Sequence, residues 1–127
     1  MTDRYVVVLP VNDEPLLLHC HSNGYKSVSL KDLQKMVEGY IECVPVYSYD
    51  VYKNISEEIK PVLVVNEEGK LQDLGFNRTA TAIDGAEYGI AGNAVLMATK
   101  GDKMIGFLKN DAIKLLAEME DLWAESK

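Results

Sequence analysis

The polar cluster best suited to chemistry is Asn77-Arg78-Thr79-Ala80-Thr81, which follows Gly75-Phe76 and leads into Ile83. Asparagine is a preferred helix N-cap, so the pattern predicts a short helix over about 78–83, with Arg78 and two threonines in its first turn. Open backbone N–H groups at a helix start attract negative charge, and a guanidinium adds planar bidentate donors. With a threonine hydroxyl beside them, these groups describe a phosphate or carboxylate site. A plainer alternative has Asn77 capping the helix and Arg78 pairing with Glu42 or Glu67, and the two readings are compatible. Tyr47 and Tyr49 share a strand face, and a rigid ring with a polar tip suits stacking on a base. A core edge or a protein interface uses such tyrosines equally well, Tyr52 included. The candidate ligand-binding set is therefore Asn77, Arg78, Thr79, Thr81, Tyr47 and Tyr49.

Other chemistries find less support. His19-Cys20-His21 gathers metal-ligating types, but on a strand the two histidines point one way and Cys20 the other. No second cluster completes a tetrahedral set, so no metal site is expected. Glu38, Glu42, Glu67 and Glu68 offer carboxylates for acid–base work, yet their spacing sets no two face to face. Nucleophile-elbow and phosphate-loop glycine motifs are absent, and neither catalytic residues nor a cofactor are expected.

The elements that must position these residues alternate in type. Tyr5–Val11 is a valine-rich strand closed by Pro10 and the turn Asn12-Asp13-Glu14-Pro15, and the apolar run Leu16–His21 makes it an N-terminal hairpin. Ser29 is placed to cap an amphipathic helix over about 30–38 carrying Leu33, Met36 and Val37, with Gly39 ending it in the left-handed conformation. Tyr40–Tyr47 alternates as a strand, with Tyr40, Glu42, Val44 and Val46 on one face, and Pro45 marks an edge or a bulge. Residues 48–60 form a loop with one helical turn. Val62–Val65 is a buried strand, and Asn66-Glu67-Glu68-Gly69 follows as a turn in which Gly69 supplies a positive φ. After a loop at Asp84–Gly89, Ala94–Thr99 and Lys103–Leu108 form a hairpin. Asn110 caps a helix over about 110–125, its stripe made by Ile113, Leu116, Met119 or Glu120, and Trp123 and widened by Leu115 and Leu122. The expected class is α+β: one domain over 1–127, a mainly antiparallel or mixed sheet packed by two main helices and a short one.

Composition narrows the partners. The chain has 127 residues with 20 Asp and Glu against 13 Lys and Arg, a formal charge of −7. That balance argues against bare nucleic acid as a partner, since phosphate binding needs clustered cations. Strand patterning begins almost at Met1, without a signal peptide, and no apolar run is long enough to span a bilayer, so a cytoplasmic location is expected. Cys20 and Cys43 read as buried free thiols, with a disulfide as the alternative. A homo-oligomer is compatible with all of this.

Four segments resemble the family catalogued as domain of unknown function 3846. They are Leu33-Gln34-Lys35-Met36-Val37-Glu38-Gly39-Tyr40-Ile41-Glu42, Asn66-Glu67-Glu68-Gly69-Lys70-Leu71, Asn77-Arg78-Thr79-Ala80-Thr81, and Ile90-Ala91-Gly92-Asn93-Ala94-Val95-Leu96. Such proteins often have Gly-Gly where Glu38-Gly39 stands here, and often a proline before the Asn-Arg pair. The resemblance implies a phage-type or mobile-element accessory protein, acting in the host cell cytoplasm if phage-encoded, and it brings no established activity. Three functions are therefore weighed. The first is capture of a small anionic ligand, such as a nucleotide-derived signal of host defence, by Arg78, Asn77 and a stacking tyrosine. The second is acidic inhibition of a host protein's basic surface, one that binds DNA for instance. The third is a metal-dependent hydrolase built on the glutamates.

Overall fold

The computed structural model describes residues 3–20, 29–84 and 89–125. The chain runs β1 (Arg4–Leu9), β2 (Leu16–His19), α1 (Leu30–Val37), β3 (Ile41–Pro45), α2 (Tyr49–Tyr52), β4 (Lys60–Asn66), α3 (Arg78–Asp84), β5 (Ala94–Lys100), β6 (Lys103–Ile105), β7 (Phe107–Leu108) and α4 (Lys109–Glu125). Among the described residues, seven strands join one sheet with β2-β1-β5-β4-β3 as its main order, and each of their pairings is antiparallel. The fold is α+β, as the pattern of hairpins and helices implied.

Period-two alternation splits the core between the two faces of the sheet. Val6, Val64, Val95 and Met97 point to one face, where α1 covers them with Leu33 and Val37. Burying those two side chains contributes roughly 1.5–3 kcal/mol each. Val7, Leu9, Leu63, Val65, Leu96 and Phe107 point to the other, beneath α3 and α4. A buried polar tie joins β1 to the loop before β4. The Arg4 guanidinium donates to both Glu57 carboxylate oxygens at 2.7 and 2.9 Å and to the Gly106 carbonyl at 3.1 Å. The hydrogen bond to Glu57 raises the Arg4 pKa. Asp111 at the start of α4 accepts from the Ser56 N–H at 3.0 Å and its hydroxyl at 2.9 Å, fixing the same loop.

Several local expectations change in the folded chain. Glu38, not Gly39, takes the left-handed conformation that ends α1, with φ 65°. Gly39 is required for space, since a Cβ there would lie 2.6 Å from the Asn66 side-chain nitrogen. Ser29 stands at the N-cap without a side-chain hydrogen bond. The 103–108 strand is broken at Gly106, where a Cβ would meet the Cys20 sulfur at 2.6 Å and the Tyr5 backbone at 2.8 Å. In α4 the buried stripe is Ala112, Leu115 and Met119, with Ile113 exposed. Helical turn α2 lies inside the expected 48–60 loop. His21 and most of the Asp84–Gly89 loop lie outside the described residues.

Candidate functional site

The Asn77 cap forms as its sequence suggests: the Asn77 side-chain oxygen accepts from the Ala80 N–H at 3.0 Å. Its amide nitrogen donates to the Leu9 carbonyl at 2.8 Å and the Gly92 carbonyl at 3.0 Å, and its backbone N–H donates to Ile90 at 2.7 Å. The residue is buried, and all its side-chain polar groups are committed to the scaffold. Thr81 is similarly used, its hydroxyl accepting from the Ile90 N–H at 2.8 Å. Thr79 is buried with a hydroxyl oxygen that meets no hydrogen-bond partner, whereas Arg78 stands exposed on the outer face of α3.

Tyr47 and Tyr49 are 74% and 78% exposed. The Tyr47 N–H donates to the Ile83 carbonyl at 3.3 Å, which sets it at the far end of α3 from Arg78. Five residues of helical rise, about 7–8 Å, separate Arg78 from Ile83 along the axis. Of the six candidate residues, then, α3 and its cap gather four, but Asn77, Thr79 and Thr81 turn inward and Arg78 stays outside.

A cleft of about 260 Å³ opens between β3, the 66–71 turn and the 89–91 segment. Its wall carries Glu42, Glu67 and Glu68 beside Lys70, over a floor of Val44, Val65 and Ile90. Each carboxylate has a local cause. Glu42 lies opposite Val65 in the β3–β4 register, on the same strand face as Val44 and the buried Val46. Glu67 and Glu68 are presented by Asn66, whose side-chain oxygen accepts from the Glu68 N–H at 2.7 Å. The same side chain donates to the carbonyls of Val37 at 3.0 Å and Glu38 at 3.2 Å, so it also anchors the end of α1. Gly69 shows no positive φ; it is needed because a Cβ would lie 2.4 Å from the Ala91 carbonyl oxygen. Leu71, in the cleft lining, is 86% exposed; Tyr40, whose carbonyl accepts from the Glu67 N–H, is 70% exposed, and Phe76, bridged to Ala91, is 58% exposed.

Glu42, Glu67 and Glu68 were visible in the sequence as scattered acids, and the strand register is what assembles them. Glu38 does not line this cleft. The alternation of Tyr40, Glu42, Val44 and Val46 was the available signal that Glu42 shares a face with core residues.

A second, more apolar cleft of about 420 Å³ lies between β2 and α1, lined by Val6, Leu18, Cys20 and Met36 with Asp32 and Lys35 at its rim. Cys20 packs among apolar neighbours, and burial pushes its thiol up to about 11. His19 pairs with Asp3 at 3.2 Å and meets the Tyr5 ring edge-on at 5.1 Å. Both cysteines are free thiols, and Cys43, expected to be buried, is exposed on edge strand β3. Among the described residues no helix is long and apolar enough to cross a membrane.

Comparison with known proteins returned no match among curated proteins and none among solved structures. The family model described as "Domain of unknown function (DUF3846)" matches residues 5–121, nearly the whole chain, and the protein belongs to that family.

Proposed function

We propose that this protein is a non-enzymatic interaction protein that engages a basic surface of another protein through its acidic cleft. One observation carries the reading: Glu42, Glu67 and Glu68 converge on one cleft whose surroundings expose Tyr40, Leu71 and Phe76. Exposed aromatic and apolar groups beside fixed charge are what a protein interface uses, the rings for contact area and the carboxylates for steering and register. A net charge of −7 repels nucleic acid and favours a cationic partner. On a phage-type reading, that partner is a host protein, inhibited by occupancy of its basic site.

The test is affinity capture from host lysate with the wild-type protein and a Glu42→Gln/Glu67→Gln/Glu68→Gln variant, at low salt and at about 0.5 M, where surface charge is largely screened. A partner retained by wild type at low salt and released by both the variant and the salt supports the reading. Partners held equally by both proteins overturn it.

A second reading, capture of a small anionic ligand, rests on Arg78, exposed at the start of α3, since Asn77 and Thr79 beside it are buried. Calorimetry with linear and cyclic nucleotides on wild type and Arg78→Ala addresses it. Heat lost in the variant supports that site, and no heat with either protein removes it.

A further inference from the structure

The acidic cleft borders a second feature that has nothing to do with charge. β3 is the last strand of the sheet, and no element among the described residues pairs with its outer edge. Which backbone groups that edge offers follows from its register. The Glu67 N–H donates to the Tyr40 carbonyl at 3.0 Å, and the pairs Ile41↔Asn66 and Glu42↔Val65 continue from there. In an antiparallel ladder, residues directed at the partner alternate with residues directed away. Positions 40, 42 and 44 therefore face β4, and Ile41, Cys43 and Pro45 turn their backbone groups outward. Pro45 sits where this parity allows, since the N–H it lacks would have pointed away from β4. Without a backbone partner among the described residues are the N–H and carbonyl groups of Ile41 and Cys43 and the carbonyl of Pro45.

Resting on the acidic-interaction reading above, we infer that β3 accepts an extended segment of a partner protein as an added antiparallel strand, with Lys or Arg at alternate positions. Every pairing in the sheet is antiparallel, and an added strand continues that geometry. Side chains opposite Glu42 and Val44 fall on the cleft side, so a basic residue there meets Glu42, Glu67 and Glu68. Main-chain bonds supply the docking and the alternate side chains the selectivity. A second copy of the chain is the wrong occupant. Pairing β3 with itself sets the two Glu42 side chains diagonally across one face, like charge against like.

The probe is the peptide Lys-Val-Lys-Val-Lys-Val-Lys, its ends blocked, titrated against the full chain by fluorescence anisotropy in three forms. One is unmodified, one is N-methylated at the valines and one at the lysines. With lysines on the cleft side of an added antiparallel strand, the valine amides face β3 and the lysine amides face solvent. Expected is at least a tenfold loss of affinity on methylating the valines, less than about threefold on methylating the lysines, and slowed hydrogen exchange at the Ile41 and Cys43 amides. Equal affinity of all three forms overturns strand addition while leaving charge-driven binding intact. The reverse pattern, or no binding of the unmodified peptide, overturns the inference too. The acidic-interaction reading is judged separately by the glutamate-to-glutamine capture experiment, so the two can fail independently.

Discussion

The Asn77 side-chain amide donates to the Leu9 carbonyl at 2.8 Å across 68 positions of sequence, joining the start of α3 to the end of β1. A second bond to the Gly92 carbonyl and the cap on Ala80 make this one side chain the junction of three segments. Asn77→Ala removes a helix cap, worth about 1 kcal/mol, and leaves two buried carbonyls without donors, worth about 1–3 kcal/mol. The expected loss is about 3 kcal/mol in urea unfolding. Asn77→Asp keeps the cap acceptor but sets negative charge against both carbonyls, and is expected to be no better. A loss under about 0.5 kcal/mol for Asn77→Ala contradicts this role.

Two glycines are needed for different reasons, and asparagine tells them apart. Gly101 has φ 63° with open space around it, so Gly101→Ala costs only left-handed strain, about 1–2 kcal/mol, and Gly101→Asn recovers part of it. Gly69 lacks room beneath the Ala91 carbonyl, so Ala and Asn are both expected to cost about 1–3 kcal/mol or more. Thermal unfolding of the four variants checks the contrast. Rescue by Asn at position 69 refutes the steric account.

What could be read from the chain alone was local chemistry. The Asn77 cap, the β1–β2 hairpin, the Leu33–Val37 stripe and Pro45 on an edge each depend on residues a few positions apart. The misreadings share a different origin. Gly39 and Gly69 look like left-handed positions, yet both are set by close approach of distant groups, the Asn66 side chain and the Ala91 carbonyl. Ile113 looks like a core residue until the seating of α4 on the sheet selects Ala112 and Leu115 instead. The acidic cleft was hidden for the same reason, because Glu42 and Glu67 become neighbours only through the β3–β4 register.

Cys20 makes stability depend on alkaline pH. Burial raises its thiol from the ordinary 9.0 to about 11, partly offset by the nearby Arg4 charge. The folded state therefore holds a proton that the unfolded chain has released over pH 9 to 11. Its contribution is complete below pH 9 and disappears as the pH rises through about 11. The two-unit difference corresponds to at most about 2.7 kcal/mol. Urea unfolding at pH 8 and at pH 10.5 is expected to show wild type losing more stability than Cys20→Ala over this interval. Parallel losses in the two proteins remove Cys20 as the source.

Cys43 sits at the middle of the open β3 edge, exposed where Cys20 is buried, so the two thiols should differ sharply in reactivity. Exposure alone does not make Cys43 fast. Partial burial, and then the adjacent Glu42 charge, raise its pKa, which lowers the thiolate fraction that attacks an alkylating agent at neutral pH. Mass spectrometry of iodoacetamide-treated native protein is therefore expected to show Cys43 labelled first and Cys20 labelled only with unfolding. Glu42→Gln should speed Cys43 labelling at pH 7.5, because the substitution removes the second cause of the shift and leaves the first. Cys20 reacting as fast as Cys43 in folded protein contradicts the burial difference, and an unchanged Cys43 rate in Glu42→Gln removes the carboxylate from its surroundings.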